Sequence, residues 1–135
     1  MTMRFRYAAV LGLAALLTIS CGGVTDPSKN TVDIWTSTVP PGGTTPDMKT
    51  FNVSNTGEYS IVITQLSPAS NVALGVIFGQ QTSAGCAPIQ ENDFSLLNQV
   101  ALTGSIIKGS YCVVAFDALR SLSVPESFTM KISHP

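Results

Sequence analysis

The sequence predicts an all-β domain: an antiparallel β-sandwich, jelly-roll-like, of about seven or eight strands after a cleaved signal peptide. Three observations carry this. Short runs rich in Val, Ile, Thr and aromatic residues alternate apolar with polar at a period of two, the pattern of a strand buried on one face. Clusters of Gly, Pro, Asn and Ser punctuate those runs at regular intervals. Charged residues make up only 11% of the 135-residue chain against 44% hydrophobic, so the usual helix formers Glu, Lys and Arg are scarce. The length allows one domain, expected over residues 31–135.

Residues 1–20 come first and read differently. Met1 to Tyr7 carries Arg4 and Arg6 with no acid, and Ala8 to Ile19 is an apolar run too short to span a bilayer. Leu17-Thr-Ile-Ser-Cys-Gly-Gly23 then resembles the lipobox of bacterial lipoproteins, with Ser20 before Cys21 and Thr18 where leucine is usual. That resemblance implies that Cys21 is acylated and becomes the first mature residue, anchoring the protein to a membrane through lipid. Gly22 in the next position resembles lipoproteins sent on to an outer membrane; without one, the outer face of the plasma membrane is expected. Gly22 to Asn30 is polar, contains Gly and Pro and lacks apolar periodicity, so residues 21–30 are expected to be a flexible tether.

Thr31 to Val39 opens the folded region as a β-branched strand, with Ile34 on one side and Trp35 on the other. Pro40-Pro-Gly-Gly-Thr-Thr-Pro46 is a loop that should exclude sheet pairing. Met48 to Ser54 and Glu58 to Leu66 read as a hairpin around Asn55-Thr-Gly57, with Phe51 and Val53 inward on its first strand. Tyr59, Ile61 and Ile63 share one face of the second. Asn71 to Phe78 is a further strand, and Gly79 to Asn92 reads as a polar loop. Ser95 to Ile107 mixes two periods and is taken as two short strands turning at Gly104. Glu126 to Ser133 closes the fold, with Phe128, Met130 and Ile132 alternating with Ser127, Thr129 and Lys131.

Gly109-Ser-Tyr-Cys-Val-Val-Ala-Phe-Asp117 is the expected centre of the sandwich. Cys112, Val114 and Phe116 form a wholly apolar face, assigned to the core; Tyr111, Val113, Ala115 and Asp117 point the other way. Export exposes thiols to an oxidising space, and Cys86 is the one partner for Cys112 within the folded region, so a Cys86–Cys112 disulfide is expected.

The order of Phe51-Asn-Val53, Ile61-Val-Ile-Thr-Gln-Leu66, Val72-Ala-Leu74, Gly109-Ser-Tyr-Cys-Val-Val114 and Phe128-Thr-Met-Lys-Ile132 resembles the bacterial pre-peptidase C-terminal domain. The resemblance covers roughly residues 48–134 and implies a jelly-roll-like accessory module for binding or stability. Some members bind calcium at an Asp-x-Asp-Leu run; here Asn71-Val-Ala-Leu74 stands in its place, and Asp47, Glu91, Asp93 and Asp117 have no spacing that commits them to a metal.

Composition narrows the function. Without residues 1–20 the chain holds five basic and eight acidic residues, with no basic run, which argues against nucleic acid as partner. His134 is the only histidine and reads as a solvated end. Glu91 and Asp93 read as a solvated loop pair. No Gly-x-Ser-x-Gly elbow, zinc spacing, P-loop or dinucleotide fingerprint is present. The expectation is a non-catalytic cell-envelope lipoprotein without cofactor or metal, presenting its sandwich to an envelope protein. The alternatives are a carbohydrate-binding module, with Trp35 or Tyr59 as the possible ligand contact unless Trp35 half-covers the end of the core as tryptophan often does, and a small hydrolase.

Overall fold

Each run of alternating residues needs a partner on both edges and a cover on its apolar face, and nested pairing supplies both. A computed structural model describes residues Thr25–Pro135. A 3-10 turn, Pro27–Lys29, precedes eight strands: β1 Thr31–Val39, β2 Lys49–Val53, β3 Gly57–Ser67, β4 Leu74–Thr82, β5 Gly85–Ser95, β6 Val100–Ile106, β7 Gly109–Phe116 and β8 Glu126–His134. The first pairs with the last, β2 with β7, β3 with β6 and β4 with β5, all antiparallel. This long nested hairpin rolls up by adding β3–β8 and β4–β7 pairs. Two four-stranded sheets result, β1-β8-β3-β6 (sheet A) and β2-β7-β4-β5 (sheet B). That order makes the sandwich a jelly roll.

The core lies between the sheets. Ile61, Ile63, Leu74, Val76, Val113, Ala115, Met130 and Ile132 have no exposed surface. A row of rings crosses one end of it: Tyr59 packs on Phe78 at 4.2 Å, Phe78 on Tyr111 at 5.3 Å and Phe51 on His134 at 4.5 Å between centroids. Trp35 meets Phe128 edge-on at 4.9 Å at the other end. Such offset and edge-on pairs add to what the buried area alone contributes.

Several sequence expectations are corrected. β2 and β3 are not a hairpin: they belong to different sheets, and residues 54–56 form an arch between them. Alternation is the same in a hairpin and an arch, so local pattern does not distinguish them. The inward face of β7 is Tyr111, Val113, Ala115 and Asp117, the opposite of the face assigned from apolarity. Its two polar ends are satisfied inside, Tyr111 by donating to the Ile107 carbonyl at 2.9 Å and Asp117 by accepting backbone N–H groups. Ser95 to Ile107 contains one strand, β6, with Gly104 in its middle. A Cβ at Gly104 would lie 3.3 Å from the Tyr59 ring, so this glycine admits a close neighbour where a turn was expected.

The polar segment after Phe78 is not a loop. β4 starts at Leu74, continues to Thr82, and turns directly into β5, which carries Glu91 and Asp93. Its polarity reflects an edge strand exposed along nearly its whole length. The 40–46 loop does pair once, Thr44 bridging Phe116, with Thr45 donating to the Ala115 carbonyl at 2.9 Å. The described part of the expected tether lies against the domain: Thr25 donates to the Thr56 carbonyl at 3.0 Å and the Asn30 amide to the Glu58 carbonyl at 2.8 Å.

Candidate functional site

Sheet B covers the outer side of its central strands β4 and β7, while Ile89 and Phe94 of the edge strand β5 stay exposed. A bulge between Phe78 and Gly79 bends the β4–β5 ribbon, and its tip curls back over the sheet. Cys86 and Cys112 are joined there, with Cα atoms 5.7 Å apart, although β4 separates their strands. In a flat sheet, strands two places apart stand about 9.5 Å from each other, so the bond spans only because the ribbon curls. Gly79 lies underneath: a Cβ would collide with the Ala87 carbonyl and come 2.9 Å from Cys86 Sγ. Phe116 covers Gly75 in the same way. Cys112 has no exposed surface, and Val114, Phe116 and Ile77 are half-buried. The apolar face of β7 assigned to the core is therefore covered from outside.

Sheet A presents its outer surface to solvent. Thr36 pairs its hydroxyl with that of Thr129 at 3.1 Å and Thr38 with Ser127 at 3.0 Å, while Thr129 donates to Gln65 at 3.2 Å. This hydroxyl ladder is satisfied within the protein. Beside it, Val32 and Ile34 of β1 are 46% and 59% exposed. The alternation had placed Ile34 opposite Trp35, but only the position of the core gives that exposure a meaning.

The residues nominated as ligand contacts lie elsewhere. Trp35 is 6% exposed and Tyr59 3%, so neither ring offers a face to solvent. Trp35 instead donates its indole N–H to Asp47 at 3.2 Å, and Tyr59 donates to Gln90. Burial pushes the Tyr59 phenol up to about 12. Cys21 lies outside the described residues.

Asp47, Asp117 and Glu126 are tied to neighbouring groups, whereas Glu91 and Asp93 stand together on β5. The Ser37 hydroxyl, at 2.6 Å, holds Asp47 below the usual carboxylate range against some opposing desolvation, with help from Trp35. At Asp117 burial acts upward, but the backbone N–H groups of Gly42, Ser121, Leu122 and Arg120 outweigh it and hold the carboxyl low. Glu91 is raised, by desolvation first and then by Asp93 beside it. Glu126 is 1% exposed and receives the Ala69 N–H on both oxygens, at 3.2 and 3.3 Å. Among the described residues no three His, Cys, Asp or Glu side chains stand close enough to hold a metal. His134 is not a solvated end. Its ring is 4% exposed against Phe51, with Nε2 3.6 Å from Asp33, which also meets Lys49 at 3.4 Å.

One shallow groove of about 330 Å³ opens between the ends of β2 and β7, lined by Asn52, Val53, Ser54, Lys108, Gly109 and Ser110. Ser110 donates to Asn52 at 2.8 Å across it. Most of the surface it exposes is carbon, with the Lys108 ammonium as its one charged group.

No protein-family profile matches the chain, and no curated protein sequence matches it.

Proposed function

We propose that this protein is a non-catalytic envelope lipoprotein whose jelly roll works by protein–protein contact through the outer side of sheet A. The observation that carries the reading is on sheet A, where Val32 and Ile34 stand exposed beside a hydroxyl ladder; sheet B covers the outer residues of β4 and β7 and leaves Ile89 and Phe94 exposed only on its edge strand β5. Exposed apolar residues beside bonded hydroxyls have the character of a contact surface, with the Lys131 ammonium opposite Ile34 as the charged group a partner would meet. Acids such as Asp47, Asp117 and Glu126 act as braces for Trp35, for two loops and for the chain after β3. The resemblance to pre-peptidase C-terminal domains points the same way.

A photoreactive phenylalanine analogue placed at position 34 and, separately, at position 77 of the full chain tests this in the native envelope. Protein adducts from position 34 and none from position 77 are expected; the reverse would defeat the reading. Acylation of Cys21 is checked by mass spectrometry of protein from its native host, where a diacyl or triacyl cysteine is expected and an unmodified N-terminus elsewhere would refute it. The groove beside Lys108 favours a second reading, glycan binding, in which oligosaccharide titration would shift the amide resonances of Asn52 and Ser110.

A further inference from the structure

A sheet edge carries unpaired backbone N–H and C=O groups, and proteins block such edges with short strands, charges, proline, bulges or a cover. Three of the four edges here are blocked. β2 has only five residues and starts with Lys49. β5 contains Pro88, Glu91 and Asp93, and its pairing with β4 is broken by two register shifts. β6 is overlaid by β5, whose Asn92 amide donates to the Ala101 carbonyl at 2.8 Å.

β1 differs on each count. It pairs with β8 through nine residues in unbroken register and contains neither proline nor bulge. Every second residue therefore directs its N–H and C=O away from β8. The outward side chains Val32, Ile34, Thr36 and Thr38 carry no charge. Its one charge, Asp33, faces inward and meets Lys49 at 3.4 Å.

We infer that β1 pairs antiparallel with β1 of a second copy, joining two sheets A into one continuous eight-stranded sheet. The inference rests on the reading above and narrows its contact to the β1 edge of that surface, where Val32 and Ile34 gain lateral contacts across the seam. The strand is self-complementary. With Trp35 on the two-fold axis, Ile34 falls opposite Thr36 of the second copy and Val32 opposite Thr38, while Asp33 meets Ser37. Within the strands no like charges stand opposite; Asp47, which accepts the Ser37 hydroxyl at 2.6 Å, comes beside Asp33 of the second copy, and Lys49 at 3.4 Å from Asp33 offsets that pair. The seam is small: nine residues span about 30 Å, and a strip of that length and one strand wide falls below the roughly 1,200 Å² of a stable interface. Pairing is therefore weak in dilute solution and gains from two copies sharing one membrane.

The test uses two full-length, differently tagged copies co-expressed in the native host, with the photoreactive analogue at position 34 or 36. Adducts carrying both tags are expected from both positions, and Val32→Lys should lower the yield from position 36 severalfold while leaving the melting temperature unchanged. Adducts with another protein alone would overturn the self-pairing and leave the contact reading standing. An absence of any protein adduct would overturn both. Two-tag adducts insensitive to Val32→Lys would move the contact off β1 and overturn the inference as well.

Discussion

The two sheets have the same strand count and opposite outer surfaces. Sheet B carries apolar residues on both faces of β7; Gly75 and Gly79 leave room for Phe116 and for a disulfide-pinned ribbon tip to lie over the outer side of β4 and β7, and Ile89 and Phe94 stay exposed on the edge strand β5. Sheet A has polar side chains along most of its outside, ties them in a hydroxyl ladder and leaves Val32 and Ile34 open. The difference teaches that an apolar face on a strand does not identify the core. It identifies a surface that something must cover, and in sheet B the chain itself is the cover.

Breaking the cover gives the largest expected effect. Replacing Cys86 and Cys112 together by Ala frees the ribbon tip and should lower stability by roughly 3.5 kcal/mol in the chain-entropy model for a loop of this length. Denaturant titration under non-reducing conditions measures it. Gly79→Ala comes next, because its methyl group meets the Ala87 backbone, which cannot rotate away. A loss of about 1–3 kcal/mol is expected from overpacking.

Asp117→Asn sharpens the comparison from inside sheet B. It removes a carboxylate that accepts Gly42, Ser121 and Leu122 N–H groups at 2.9, 3.0 and 3.2 Å, and a loss of about 2 kcal/mol at neutral pH is expected. The sign with pH follows from its lowered folded-state value, shared by Asp47. The unfolded chain binds these protons more readily, so the stability from both groups is complete above about pH 4 and lost as pH falls through the folded values. Unfolding midpoints from neutral pH downward should show that loss, and Asp117→Asn should reduce it.

Much of this architecture was legible in the sequence because strand alternation is a local signal. β1 reads at its observed limits, Phe51 and Val53 of β2 read as inward, and the alternating sets of β3 and β8 separate as the structure has them, although alternation alone leaves open which face of β3 is buried. What was not legible depends on partners. Asn55-Thr-Gly57 carries a turn signal whether the next strand pairs with the last or crosses to the other sheet. Gly104 breaks an apolar pattern whether it makes a turn or admits the Tyr59 ring. Trp35 and Tyr59 were nominated as contacts by residue type, and only the three-dimensional position of Asp47 and Gln90 shows their polar atoms satisfied inside. The open edge of β1 was equally invisible, because being an edge is a property of the sheet order.

The smallest effects are expected on the outside of sheet A. Thr36→Val and Thr38→Val remove exposed hydroxyl pairs and should each change stability by less than about 0.5 kcal/mol, measured by thermal unfolding.

The central claim, that the outer side of β4 and β7 is structural and that of β1 is for contact, is tested most directly by one paired unfolding measurement. Val32→Ser with Ile34→Ser is compared with Ile77→Ser with Val114→Ser by denaturant midpoint at constant m-value. The first pair should stay within about 0.5 kcal/mol of the parent, and the second should lose at least about 2 kcal/mol. Equal losses from the two pairs would contradict the account.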